Sequence, residues 1–298
     1  MKKTGVLIAG LISAAYFLHL GASHFLIPSE EESEEETVIN NRFKGNFAGT
    51  FPVLMYRDFD QTGQGDLVVS AARFEEQLQA LNEAGYETIN EQELIEYENG
   101  ERSNLPDKPV LITMDDGYNS NYDIAYPILK SLDMEASIYT VVKRQDNEHP
   151  DHFTWDEAKE MVDSGHVSIQ LKTYDLHGKI LAEGEEEPRL THVRDGETKA
   201  EYRERVEEDL RLGISRIEEE VNNDVTAFAF PFSSYNDDVL EISKSLGIEL
   251  FLTLDPGVNK MAQIEEDMLR RINVQEDMSG EELVGELDQT LYENELVD

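Results

Sequence analysis

The 298-residue chain has no cysteine. That removes a disulfide framework and thiolate chemistry. Positive charge is also scarce: 25 Lys and Arg stand against 64 Asp and Glu, a formal −39. This argues against nucleic acid as a partner, because such binding relies on Lys and Arg displacing counterions. An anionic membrane surface or anionic wall polymer would be repelled too. So acidic a chain suits solubility in a saline or alkaline exterior, and it would attract a cationic polymer. Tryptophan occurs once, yet 12 Phe, 12 Tyr and a hydrophobic content of 39% allow a real core.

Long apolar runs are missing except at the N-terminus. Lys2 and Lys3 precede the stretch Gly5–Ile27, which is nearly all apolar and is interrupted by His19, Ser23 and His24. Residues 1–28 therefore read as a signal peptide or an N-terminal membrane anchor, with the lysines left inside. Gly21-Ala22-Ser23 offers a cleavage site. The acidic run SEEESEEET, Ser29–Thr37, cannot pack and is expected to be disordered. Residues 29–50 form the linker in this reading, and residues 51–298 one folded domain.

Within that domain, short apolar strands alternate with capped helices. Strands are expected at Pro52–Tyr56, Thr88–Ile89, Val110–Met114, Ala136–Val142, His166–Leu171, Val225–Phe230 and Ile248–Leu254. Ser70 and Asn236 read as N-caps, and Asn90/Glu93, Thr154/Glu157, Thr198/Glu201 and Ser279/Glu282 as capping pairs. The stretch Gly178–Gly196 is polar, acidic and irregular, an insertion or long loop. Strands and helices alternating in this way imply a parallel α/β fold.

The most informative stretch is PVLITMDDGYNSNY, Pro109–Tyr122. It carries a buried-type strand into Asp115, Asp116 and Gly117. In barrels of parallel strands, the carboxyl ends of the strands hold the chemistry. Adjacent carboxylates can divide labour, one binding a cation and the other taking a proton.

Thr113–Tyr139 resembles the first motif of the polysaccharide deacetylase family, whose usual form is TFDDG. Further matches follow in order from Phe51 to Val274. They are most similar to the Gram-positive, membrane-associated branch acting on poly-N-acetylglucosamine. The resemblance implies a distorted (β/α) barrel with fewer than eight regular strands. It also implies a divalent metal, usually zinc, held by the second acid of the first motif and two histidines. By position Asp116 is the acidic ligand and Asp115 the proton acceptor. SIQLKTYDLH, Ser168–His177, resembles the second motif, so His177 is one histidine ligand, but Lys172 stands where the other belongs. A protonated lysine has three N–H donors and no lone pair, so it cannot ligate zinc.

Weaker matches complete the pattern. Tyr56-Arg57 stands where relatives often show Tyr-His. AFAFPFSSYND, Ala227–Asp237, resembles the third motif, with Ser233 in place of the usual glycine. Tyr56, Pro231 and Phe232 would line the substrate groove. LTLDPG, Leu252–Gly257, makes Asp255 the acid that tunes the catalytic residues. LRRINV, Leu269–Val274, offers no histidine as general acid. A substitute metal ligand could come from the loop residues His149, His152 or His192. His166 shares a strand face with Lys172 but lies roughly 20 Å away along it. The implied partner is an N-acetylglucosamine polysaccharide, and cationic, partly deacetylated chains would suit the acidic surface. Two functions follow: a deacetylase-fold protein that is weak or inactive because of Lys172, or an active metal-dependent N-deacetylase with a rearranged ligand set. On sequence alone, Lys172→His would recreate an Asp/His/His triad.

Overall fold

The computed structural model describes residues 49–182, 184–261, 264 and 268–295. The expected leader, residues 1–28, lies outside them, as does the linker up to residue 48. Thr50, placed by sequence at the end of the linker, is already in a strand: Thr50–Phe51 pairs antiparallel with Asn259–Lys260.

The centre is a curled parallel sheet. Its strands in chain order are β1 (Val53–Tyr56), β2 (Pro109–Asp116), β3 (Ala136–Val141), β4 (Val167–Thr173), β5 (Ala227–Ala229), β6 (Leu250–Leu252) and β7 (Ile272–Asn273). Their spatial order is β6-β5-β4-β3-β2-β1-β7, with the two-residue strand Glu87–Thr88 pairing at the start of β2. Every pairing within this sheet is parallel. Leu269, just before β7, bridges Leu252 of β6. The segment leading into β7 thus spans from one edge of the sheet to the other, where β7 pairs with β1. The result is the distorted (β/α) barrel with fewer than eight regular strands.

Among the described residues, seven helices of seven residues or more cover it: α1 (Ala71–Glu83), α2 (Glu91–Glu98), α3 (Tyr126–Leu132), α4 (Trp155–Asp163), α5 (Lys199–Val221), α6 (Asp237–Ser245) and α7 (Gly280–Glu295). The caps fall where the side chains allow. Ser70 accepts from Arg73, and Asn90, Thr154 and Thr198 each close a reciprocal box with the glutamate three residues on. The barrel interior holds Val53, Leu111, Tyr139, Ala229, Leu250 and Leu252, all buried. Alternation along β2 puts Thr113 and Asp115 on the same side as Leu111. One side of the interior therefore runs from apolar packing into acid at the carboxyl end.

Gly178–Gly196 is not wholly irregular. Lys179–Ala182 and Glu185–Pro188 form an antiparallel hairpin. Its side chains are mostly exposed or half-buried, so it has no buried face to impose an apolar alternation on the sequence.

Candidate active site

Asp115 and Asp116 end β2, and both are buried, Asp116 completely. The chain turns there by force. Asp116 takes φ +75° and Gly117 φ +76°. A Cβ on Gly117 would sit 2.4 Å from Thr140 Oγ1, so glycine is required for space as well as for backbone angle. The turn rotates Asp116 out of strand alternation and sets its carboxylate beside that of Asp115.

Three cations converge on the two acids. Lys172 comes from β4 at a register shift: Thr140 pairs with Leu171 and Val141 with Thr173, leaving Lys172 as the extra residue. Its Nζ lies 2.8 Å from Asp115 Oδ2 and 3.0 Å from Asp116 Oδ1. Arg271, in the segment that closes the barrel, donates Nη1 to Asp115 Oδ1 at 2.8 Å and Nη2 to Oδ2 at 3.1 Å. Its Nε donates to the Thr253 carbonyl at 2.8 Å. Arg57, the residue after β1, sets Nε 2.7 Å and Nη2 2.6 Å from Asp116 Oδ2. Burial alone would raise the pKa of both acids. Arg271 and Lys172 overcome it at Asp115, and Lys172, His177 and Arg57 at Asp116, so both are held below the usual carboxylate range.

His177 Nε2 lies 3.3 Å from Asp116 Oδ1. Burial and then the Lys172 charge push its pKa down to about 4, so the ring is neutral at physiological pH. Phe232 packs against that ring at 5.3 Å between centroids and is 42% exposed, forming an aromatic wall at the mouth. Phe232 and Ser233 both hold left-handed backbone, φ +58° and +53°. The Ser233 hydroxyl receives the Leu254 N–H.

The side chains present do not fit the metal that the family resemblance implies. Asp116 Oδ2 is taken by Arg57, and an ammonium stands at 3.0 Å from Oδ1. Oδ1 receives no well-aligned hydrogen bond, so one acceptor direction survives, next to His177. A single neutral histidine and a single carboxylate oxygen are too few donors for a structural or catalytic zinc site. Among the described residues no group of three His, Asp or Glu side chains is disposed to hold a metal. The charge count agrees: two carboxylates already face three cations.

Several sequence-based assignments are corrected. Tyr56 is not a groove wall. It is 1% exposed, its hydroxyl donates to Gln77, and it packs on Phe59 and Phe74. Pro231 is buried rather than exposed as a groove wall. Asp255 is exposed, and it is its backbone carbonyl that accepts the Arg271 N–H. The side chain that reaches Asp115 from this part of the chain is that of Arg271. His166 lies at the far end of β4, its Nδ1 3.1 Å from the Met134 carbonyl. His152 sits behind the turn, with Nδ1 2.9 Å from the Gly117 carbonyl and Nε2 3.2 Å from Arg144. In the sequence Arg57 was read as standing where relatives often show histidine and Arg271 as part of the last-motif match, and nothing there indicated that they reach the acids.

The family model described as polysaccharide deacetylase matches residues 102–251. YxkH of Bacillus subtilis (strain 168) is 29% identical over 233 residues, 77% of this chain and 73% of that protein. The poly-beta-1,6-N-acetyl-D-glucosamine N-deacetylase of Escherichia coli (strain K12) is 27% identical over 220 residues, covering 66% of this chain but 32% of the enzyme. Among solved structures, the Streptococcus pyogenes deacetylase PplD, in complex with acetate, gives a TM-score of 0.67 at 25% identity over 80% of this chain and 98% of that one.

Proposed function

Since this chain belongs to the polysaccharide deacetylase family, we propose that it is an exported member that binds N-acetylglucosamine-type surface glycans and does not hydrolyse them. The observation that carries this reading is the Lys172 ammonium, 2.8 Å from Asp115 and 3.0 Å from Asp116, at the place of a metal-binding histidine. Amide hydrolysis needs an activated water and a polarised carbonyl. Unassisted water, with a pKa of about 15.7, is a poor nucleophile. Asp115 is also ill suited as a base, because both its oxygens already accept charged hydrogen bonds from Arg271 and Lys172. What remains is a recognition surface: the exposed Phe232 ring beside a neutral His177 suits the apolar face of a sugar. The name of the Escherichia coli relative supports poly-N-acetylglucosamine as the glycan. The charged start and apolar run of residues 1–28 support export, by secretion or by anchoring to the outer face of the cytoplasmic membrane.

The test is a set of measurements on one preparation: metal content, acetate release from poly-β-1,6-N-acetylglucosamine with and without added zinc, and binding to the same polymer. Binding without acetate release is expected. One tightly held zinc per chain together with acetate release would instead make the protein an active N-deacetylase with a rearranged ligand set. Cell fractionation tests export, since a folded domain in the cytosol with the leader intact contradicts it.

A further inference from the structure

Lys172 is not the only cation standing where a metal ion would need room. Arg57 closes on one oxygen of Asp116 through two nitrogens, at 2.7 and 2.6 Å. The other oxygen of the same carboxylate lies 3.0 Å from Lys172 Nζ. The two side chains come from opposite sides of β2, one from the end of β1 and one from the extra residue of β4. Each holds a different oxygen of the one acid that the family reading makes a ligand.

We propose that Arg57 and Lys172 together form a two-cation lock on Asp116, such that either one alone excludes a divalent ion and both must be removed before one enters. The proposal rests on the reading of Asp116 and His177 as the surviving part of a metal site. Replacing Lys172 with histidine supplies a second ring nitrogen, but it leaves Arg271 on Asp115 and Arg57 on Asp116. Two carboxylates then face two guanidiniums, and an incoming dication finds no net negative charge. Neutralising Arg57 alone frees Asp116 Oδ2 but leaves the ammonium beside Oδ1 and a single histidine. Removing both withdraws two positive charges, which one divalent ion returns. It also frees both oxygens of Asp116 beside two imidazoles. The Arg57 side chain can be changed without dismantling the turn. It is 35% exposed, and its structural bond to Asn121 is made through the backbone carbonyl.

The experiment is zinc titration by calorimetry, with the zinc-induced thermal shift, on the wild type, Lys172→His, Arg57→Gln and the double variant. One zinc per chain is expected for the double variant, at least about 100-fold tighter than for either single variant. If Lys172→His binds zinc as tightly as the double variant, Arg57 is no part of a lock, while the family reading of Asp116 and His177 stands. If the folded double variant binds no zinc, that family reading itself is wrong. If the double variant does not fold even with zinc present, the dication fails to replace the two charges and the proposal falls. Arg57→Met with Lys172→His repeats the test without a glutamine at position 57.

Discussion

Arg271 and Arg57 each hold one buried acid, but burial makes them unequal. The Arg271 side chain is 1% exposed and contacts both oxygens of Asp115, whereas that of Arg57 is 35% exposed. Arg271→Met should cost about 3–5 kcal/mol, because it leaves a buried carboxylate under-compensated and the Thr253 carbonyl without its donor. Arg57→Met should cost only about 1 kcal/mol, since the Arg57 side chain is partly exposed to solvent and Lys172 still faces Asp116. Urea denaturation of the two variants checks the order, and equal losses would mean that burial does not set it. Lys172 could be picked out from the sequence because a motif position demanded a lone pair that lysine lacks. The arginines could not, because Arg271 and Asp115 lie 156 residues apart and meet only when the barrel closes. Asp209 gives a second test at this scale. It accepts N–H groups from Tyr174 and Asp175 at 2.9 and 2.8 Å, and burial pushes its pKa up to about 6. The fold therefore holds the Asp209 proton more tightly than the unfolded chain does. This contribution is full below about pH 4 and is lost as pH rises through about 6, amounting to up to about 3 kcal/mol. Asp209→Asn removes it, so the stability of the variant relative to wild type should improve steadily from pH 4 to pH 7. A difference that stays constant across that range would contradict the assignment.

Helix starts were the most readable elements, because a cap is local chemistry. Ser70, Asn90, Thr154, Thr198 and Asn236 all accept the N–H that their positions demand, and Ser279 with Glu282 does likewise. The register shift that delivers Lys172 left no trace in the sequence, since one extra residue in a strand resembles any other. The exposed hairpin at Lys179–Pro188 was hidden for the opposite reason, having no buried face to pattern it. Close approach of helices is another feature that only coordinates reveal. Gly280 opens α7 against α1, and a Cβ there would lie 2.8 Å from the Glu76 carbonyl oxygen and 2.7 Å from Ala80 Cβ. Alanine is the better helix former by about 1 kcal/mol. Backbone cannot yield as a side-chain end does, so the clash should win, and Gly280→Ala should destabilise by about 1–2 kcal/mol net. Chemical denaturation decides it: a variant as stable as wild type would mean that the two helices separate freely.

At the scale of the whole molecule, charge is the dominant feature, and it acts in two regimes. The cluster around Asp115 and Asp116 is buried, and mobile salt barely screens pairs of that kind. The chain as a whole has a formal charge of −39, against which exposed ion pairs such as Lys159–Asp163 and Arg211–Glu207 contribute little. Repulsion among these carboxylates destabilises the compact state, because unfolding moves the charges apart. It is the part of the electrostatics that salt can relieve, since a Debye length of about 10 Å at 0.1 M shrinks to about 3 Å at 1 M. The melting temperature should therefore rise as NaCl is taken from low concentration to molar, steeply at first and then flattening. The same rise should occur in Lys172→Ala, because the buried cluster does not take part in it. A melting temperature that stays flat or falls across the range would contradict the repulsion account. A rise that only divalent cations produce would point to specific carboxylate sites on the surface, and its persistence in Lys172→Ala would place them away from the barrel mouth.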